Sequence, residues 1–136
     1  MKKLRILLIA IFCITITACT NPVSNESNQQ GESIMYEQIT PQQAKKLMET
    51  ESDYMILDVR EQDEFDEGHV EGAILIPYAQ INAKAEELLP DHDQLILVYC
   101  RSGRRSKIAA ESLVNLGYTN VKEFGGIIDW PYEVVK

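Results

Sequence analysis

One stretch of this chain concentrates the residue types that do chemistry: Leu95-Ile96-Leu97-Val98-Tyr99-Cys100-Arg101-Ser102-Gly103-Arg104-Arg105-Ser106. An unbroken apolar run ends on a cysteine, and a short polar segment containing a glycine leads into a helix-compatible sequence. In open α/β sheets, sites form where the carboxyl ends of strands meet the N-termini of helices. A loop curling around the thiol aims backbone N–H groups inward as an anion nest, and the helix behind it adds roughly half a positive charge. Arg101, Arg104, Arg105 and Lys107 lie within seven positions of one another. Such surroundings draw a cysteine pKa from about 8.5 toward the range of roughly 3.5 to 7.5, where the thiolate dominates at neutral pH. The expectation is a five-residue loop after Cys100, a helix starting near Arg105 or Ser106, and a thiol at the mouth of a ring of amides. The competing structural reading is a small core cysteine closing a strand.

Elements able to position that loop alternate along the chain. A short strand is expected over Ile34–Gln38. Thr40-Pro41-Gln42-Gln43 supplies an N-cap threonine, proline at N1 and glutamine at N3 for a helix through Met48. Tyr54–Leu57 reads as a buried strand, and Glu61–Glu67 as an acidic helix with Phe65 toward the core, ended by Gly68 in a left-handed turn. Ala73–Ile76 is a strand stopped by Pro77, and Gln80–Leu89 a helix closed by Pro90. Leu95–Tyr99 is continuous enough to be the central strand. Ser106–Leu116 carries Ile108, Ala109, Ser112, Leu113 and Leu116 on one face, and Gly117 caps it. Val121–Phe124 is a last strand, followed by Gly125, Gly126 and a turn holding Trp130 as a core lid. Strand–helix alternation with short links predicts a parallel α/β sheet covered on both faces.

The N-terminal segment is of another kind. Met1-Lys2-Lys3-Leu4-Arg5 is basic and Ile6–Ile16 almost wholly apolar. As a helix, Ile6–Ala18 would span roughly 20 Å against a hydrocarbon core of roughly 30 Å, which suits a signal-peptide h-region better than a membrane span. Ile16-Thr17-Ala18-Cys19 resembles the lipobox of bacterial lipoproteins. The resemblance implies a signal peptide over 1–18 and acylation of Cys19, with several acyl chains giving stable anchoring to a bacterial membrane on its extracytoplasmic side. Residues 19–33, TNPVSNESNQQGES after Cys19, are polar and read as a tether, leaving 34–136 as a single domain.

That processing changes the arithmetic. Cys13 departs, Cys19 is acylated and Cys100 is the one thiol left, so no internal disulfide is available. Loss of Lys2, Lys3 and Arg5 leaves 10 basic residues against 21 acidic, a net charge of −11. Such a domain repels nucleic acid and anionic lipid, so contact with a membrane is expected through the anchor alone.

Two families place a cysteine in such a cradle, and loop length separates them. Cysteine phosphatases carry Cys-x5-Arg, whereas here the sixth position after Cys100 is Ser106, and Arg105 arrives one step early. Cys-Arg-Ser-Gly-Arg-Arg-Ser resembles instead the Cys-x-x-Gly-x-Arg-Ser loop of rhodanese-type sulfurtransferases. The likeness extends through Leu57-Asp58-Val59-Arg60, Glu64-Phe65, Gly68-His69-Val70-Glu71-Gly72-Ala73 up to Pro77, and Gly125-Gly126 through Trp130; Leu75 stands where that family usually has asparagine. It implies a three-layer α/β/α fold around a central, mostly parallel five-stranded sheet. It also implies sulfur transfer through a Cys100 persulfide, from thiosulfate or a persulfide donor to cyanide or a thiol, by a monomer needing no metal or organic cofactor.

By the same resemblance the loop of Arg101, Ser102, Gly103, Arg104 and Arg105 binds the anionic group, Arg105 turning inward to a carboxylate. Asp58, Arg60 and His69 act as supports, while His92, between two aspartates, is expected to be exposed. A non-enzymatic binding or thiol-sensing module of the same fold, and more remotely a cysteine-dependent phosphatase, are the competing expectations.

Overall fold

The computed structural model describes residues 36–136. The expected signal sequence, Cys19, the expected tether and Ile34–Met35 of the expected first strand lie outside the described residues. Nine elements follow in chain order: β1 Glu37–Gln38, α1 Pro41–Thr50, β2 Tyr54–Asp58, α2 Gln62–Glu67, β3 Ala73–Leu75, α3 Ile81–Leu88, β4 Leu95–Cys100, α4 Arg104–Asn115 and β5 Val121–Gly126. Single 3-10 turns at Tyr78–Gln80 and Ile127–Asp129 precede α3 and follow β5.

Every pairing in the five-stranded sheet is parallel, in the order β1-β5-β4-β2-β3. β4 is central and each of its six residues is buried, as its uninterrupted apolar sequence requires. One core, on the side of α3 and α4, gathers Leu57, Ile81, Ile96, Val98, Ala109 and Leu113. The other, beneath α1, gathers Ala44, Ile56, Leu97, Tyr99, Phe124 and Trp130. This is an α/β/α three-layer fold. Trp130 packs at 5.4 Å from Phe124, a lid on the second core.

Local chemistry sets several boundaries. Thr40 Oγ1 accepts the Gln43 N–H at 3.2 Å while Gln43 Oε1 accepts the Thr40 N–H at 2.8 Å, closing the reciprocal cap ahead of Pro41. α4 starts at Arg104, earlier than the sequence suggests, because Gly103 (φ +98°) turns the chain directly into the helix.

Three other expectations are corrected. Gly68 follows α2 with φ 159° and ψ 136°, not in a left-handed helical turn. Phe65 is half-buried and stacks on the His69 ring at 3.7 Å instead of joining either core. On α4, Ile108 is 40 % exposed, and Ala110 and Val114 take the buried face, since the side packed inward runs Ser106, Ala109, Ala110, Leu113 and Val114 at helical spacing.

Candidate active site

β4 delivers Cys100 to the carboxyl end of the sheet, between Asp58 at the end of β2 and Gly126 at the end of β5. The loop that follows has three residues, Arg101–Gly103, not five. Arg104, Arg105 and Ser106 thus belong to the first turn of α4, where unpaired backbone N–H groups face the sulfur. The Gly103 N–H donates to Cys100 Sγ at 3.1 Å, and Ser106 Oγ lies 3.4 Å from the same sulfur. Gly126 allows this closeness: a Cβ there would overlap the carbonyl of Arg101.

The thiol does not sit at the mouth of the loop. Cys100 is 1 % exposed and packs against the α3–α4 core, so the sulfur lies at the floor, with the loop folded over it. Burial alone would push the Cys100 thiol up. The Ser106 side chain, with the backbone N–H groups of Ser106, Gly103 and Ser102, outweighs that and brings it below the ordinary thiol value. A core cysteine without such donors would shift the other way.

Arg105 points inward. Its Nη1 and Nη2 donate to Glu64 Oε2 and Oε1 at 2.6 and 2.8 Å, tying the start of α4 to α2. The Arg105 hydrogen bonds hold the Glu64 carboxyl at about 2, well under the usual carboxylate range. Arg101 and Arg104 are exposed and form no ion pair among the described residues.

Asp58 and Arg60 form a buried pair below the loop. Arg60 Nη2 donates to Asp58 Oδ2 at 2.6 Å and to the Gly68 carbonyl at 2.7 Å. Tyr99 completes this layer by accepting the Val70 N–H at 3.0 Å, and burial with the nearby Asp58 pushes its phenol far up, so it stays protonated. These contacts bind the ends of β2 and α2 to β4; none is made to Cys100.

His69 Nδ1 lies 3.0 Å from the Phe65 carbonyl, which can only accept, so that nitrogen carries the hydrogen. Its backbone also pairs with Val135. His92 is not simply exposed: it stacks on Tyr118 at 4.3 Å and contacts Glu86 Oε2 at 3.1 Å.

Glu123 escaped the sequence reading. It is 2 % exposed on β5, and its Oε1 accepts the Ser106 hydroxyl at 2.6 Å and the Gly125 N–H at 2.8 Å. An acidic residue amid Val121 and Phe124 in an interior strand was the signal available. Beside it opens a cleft of about 300 Å³ that Ser102, Gly103 and Lys107 also line. A larger hollow of about 730 Å³, between Lys45, Tyr54, Trp130 and Tyr132, includes no residue of the Cys100 loop.

Comparison with known proteins gives the family. Residues 40–131 match the family model for the rhodanese-like domain. The chain is 38 % identical over 80 residues to thiosulfate sulfurtransferase PspE of Escherichia coli, covering 59 % of this chain and 77 % of that protein. It is 34 % identical over 98 residues to thiosulfate sulfurtransferase GlpE of Coxiella burnetii, covering 71 % and 89 % respectively. With the putative sulfur carrier protein YrkF of Bacillus subtilis it shares 33 % identity over 87 residues, but spans only 46 % of that longer chain. Among solved structures, a rhodanese-related protein from Thermoplasma volcanium superposes with a TM-score of 0.64 at 33 % identity, covering 74 % of this chain and 98 % of that one. With its cysteine loop, its all-parallel sheet and a family match spanning most of its length, this chain belongs to the rhodanese-like family.

Proposed function

We propose that this protein is a sulfurtransferase that carries sulfane sulfur on Cys100. The Cys100 thiolate attacks the outer sulfur of thiosulfate or of a persulfide donor. The donor's sulfur–sulfur bond breaks with its electron pair leaving on sulfite or on the donor thiolate, and a Cys100 persulfide remains. Cyanide or a small thiol then attacks the outer sulfur and returns the thiolate. The observation that carries this reading is the Gly103 N–H donated to Cys100 Sγ at 3.1 Å inside a loop of amides, which supports an anionic sulfur. Arg101 and Arg104 draw the anionic donor to the loop, Arg105 holds the loop through Glu64, and Asp58 and Arg60 support its base. No step calls for a metal or organic cofactor.

The measurement that tests this is the mass of the protein after exposure to thiosulfate. One added sulfur on the peptide containing Cys100, with thiocyanate released on adding cyanide and both lost in Cys100→Ser, is the expected result. A donor-treated chain with no gain in mass would reject it. A second reading, a binding or thiol-sensing module without turnover, draws on the 1 % exposure of Cys100. Persulfide formation that cyanide never discharges would favour it.

The site of action is part of the same proposal: Cys19 is acylated and anchors the domain outside the cytoplasm. Labelled palmitate should enter the chain and be lost in Cys19→Ala. Unchanged labelling in that variant would overturn the assignment.

A further inference from the structure

The nucleophile must lose a proton in a place almost closed to water, and the residues around it indicate where the proton goes. Ser106 has a single hydroxyl hydrogen. Glu123 Oε1 lies 2.6 Å from Ser106 Oγ, against 3.4 Å for the Gly125 carbonyl, so the hydrogen goes to the carboxylate. The serine oxygen is left as an acceptor, and the Cys100 thiol donates to it across 3.4 Å. Cys100, Ser106 and Glu123 thus form one directed chain of hydrogen bonds from sulfur to carboxylate. Glu123 is 2 % exposed, and among the described residues it forms no ion pair.

We propose that Glu123 is the positioning residue of a proton relay, receiving through the Ser106 hydroxyl the proton that Cys100 gives up. The thiol proton passes to Ser106 Oγ as the serine proton passes to Glu123 Oε1. The S–H bond and the original serine O–H bond break, while a new serine O–H and a glutamic acid O–H form. The products are a thiolate, a neutral serine that now donates to it, and a carboxylic acid; no electron changes hands and the trio keeps its net charge.

The charged groups around the trio come from several elements. Lys107 of α4 and Asp129 beyond β5 line the cleft beside Glu123. Arg105 of α4 acts on the Cys100 charge while bound to Glu64 of α2, with Glu61 near it. β4 offers only Cys100 itself, and β1 places Gln38 at the Glu123 register. The cleft of about 300 Å³ gives the relayed proton an exit to solvent on that side.

The relay rests on Cys100 being the nucleophile, so the test reads the thiol and sulfur transfer separately. The full chain and its E123Q, S106A and doubly substituted forms are alkylated with iodoacetamide between about pH 5 and pH 9. E123Q keeps an oxygen toward Ser106 and Gly125 but accepts no proton. Its alkylation near neutral pH should fall about 100-fold, the low end of what a positioned proton acceptor contributes. S106A should fall comparably, and the double form no further. If Glu123 were only a nearby charge, E123Q would alkylate faster, with its inflection at lower pH; equal or faster alkylation overturns the relay.

A measurement on the unsubstituted chain guards against misfolded variants. In carbon-13 spectra of glutamate-labelled protein, the Glu123 carboxyl should share both titration steps with Cys100 and show one step in C100S. A Glu123 signal indifferent to Cys100 overturns the relay as well. Relay behaviour in a protein that gains no sulfur from thiosulfate would strike the sulfurtransferase reading alone.

Discussion

At the scale of single residues, the pair between Arg105 and Glu64 is the clearest electrostatic element. Arg105 holds Glu64 at about 2 in the folded chain, below its ordinary value. Since the folded value is the lower one, the pair's contribution is complete above the ordinary carboxylate range and is lost as pH falls through about 2. Glu64 and Arg105 are partly shielded from water, and a double-mutant cycle near neutral pH should give a coupling of about 1 kcal/mol. Urea melts between about pH 5 and pH 3 should show the native chain losing stability more steeply than Glu64→Gln. Parallel pH curves for the two would show the pair to be idle. In sequence, Arg105 was legible as an inward residue by family likeness, but Glu64 was read only as part of a Glu-Phe signature. The partner of an arginine 41 positions away is fixed by how two helices pack, and no local pattern records that.

At the scale of elements, alternation of apolar runs with capped helices made the order of strands and helices legible. β4 is plain because six consecutive buried residues leave no periodicity to misread. Helix starts were less so: Gly103 looked like part of a longer loop, yet its positive φ, 98°, starts α4 at once. Separately, large apolar Ile108 drew the expected face of α4 one position off and left out Val114, the reverse of their burial, because the small Ser106 and Ala110 mark the inward side only weakly. Glu123 was missed because a strand residue's alternation says which face it takes, not which hydroxyl waits there.

Two segments approach closely at Gly126, where a Cβ would overlap the Arg101 carbonyl. Gly126→Ala should force the two segments apart, cost about 1–3 kcal/mol as overpacking does, and loosen the hold on the sulfur. Its check is a thermal melt together with thiosulfate loading. A variant that melts and loads like the native chain would mean that the loop is not held from this side.

At the scale of the whole molecule, an acidic chain gathers exposed cations beside the Cys100 loop. Arg101, Arg104 and Lys107 are all exposed beside the loop in a chain whose full-length formal charge is −8. A dianionic donor is repelled by the net charge of this body and attracted by those cations, and added salt removes attraction and repulsion alike. If the cations dominate at the loop, kcat/KM for thiosulfate falls steadily with ionic strength. A flat dependence would assign capture to the amides alone. Composition announced this charge imbalance at once, but only the folded chain shows Arg101 and Arg104 exposed at the loop while Lys107 lines the same cleft as the buried Glu123.

The three residues between Cys100 and α4 join a strand locked on both sides to a helix tied down by Glu64. Whatever room an incoming sulfur atom needs cannot come from either partner, since each would have to break a ladder or an ion pair to yield. Accommodation therefore falls to a hinge one turn long. Deuterium should enter the amides of residues 101–103 far sooner than those of 95–100, and loading Cys100 should slow that entry locally while the strand stays silent.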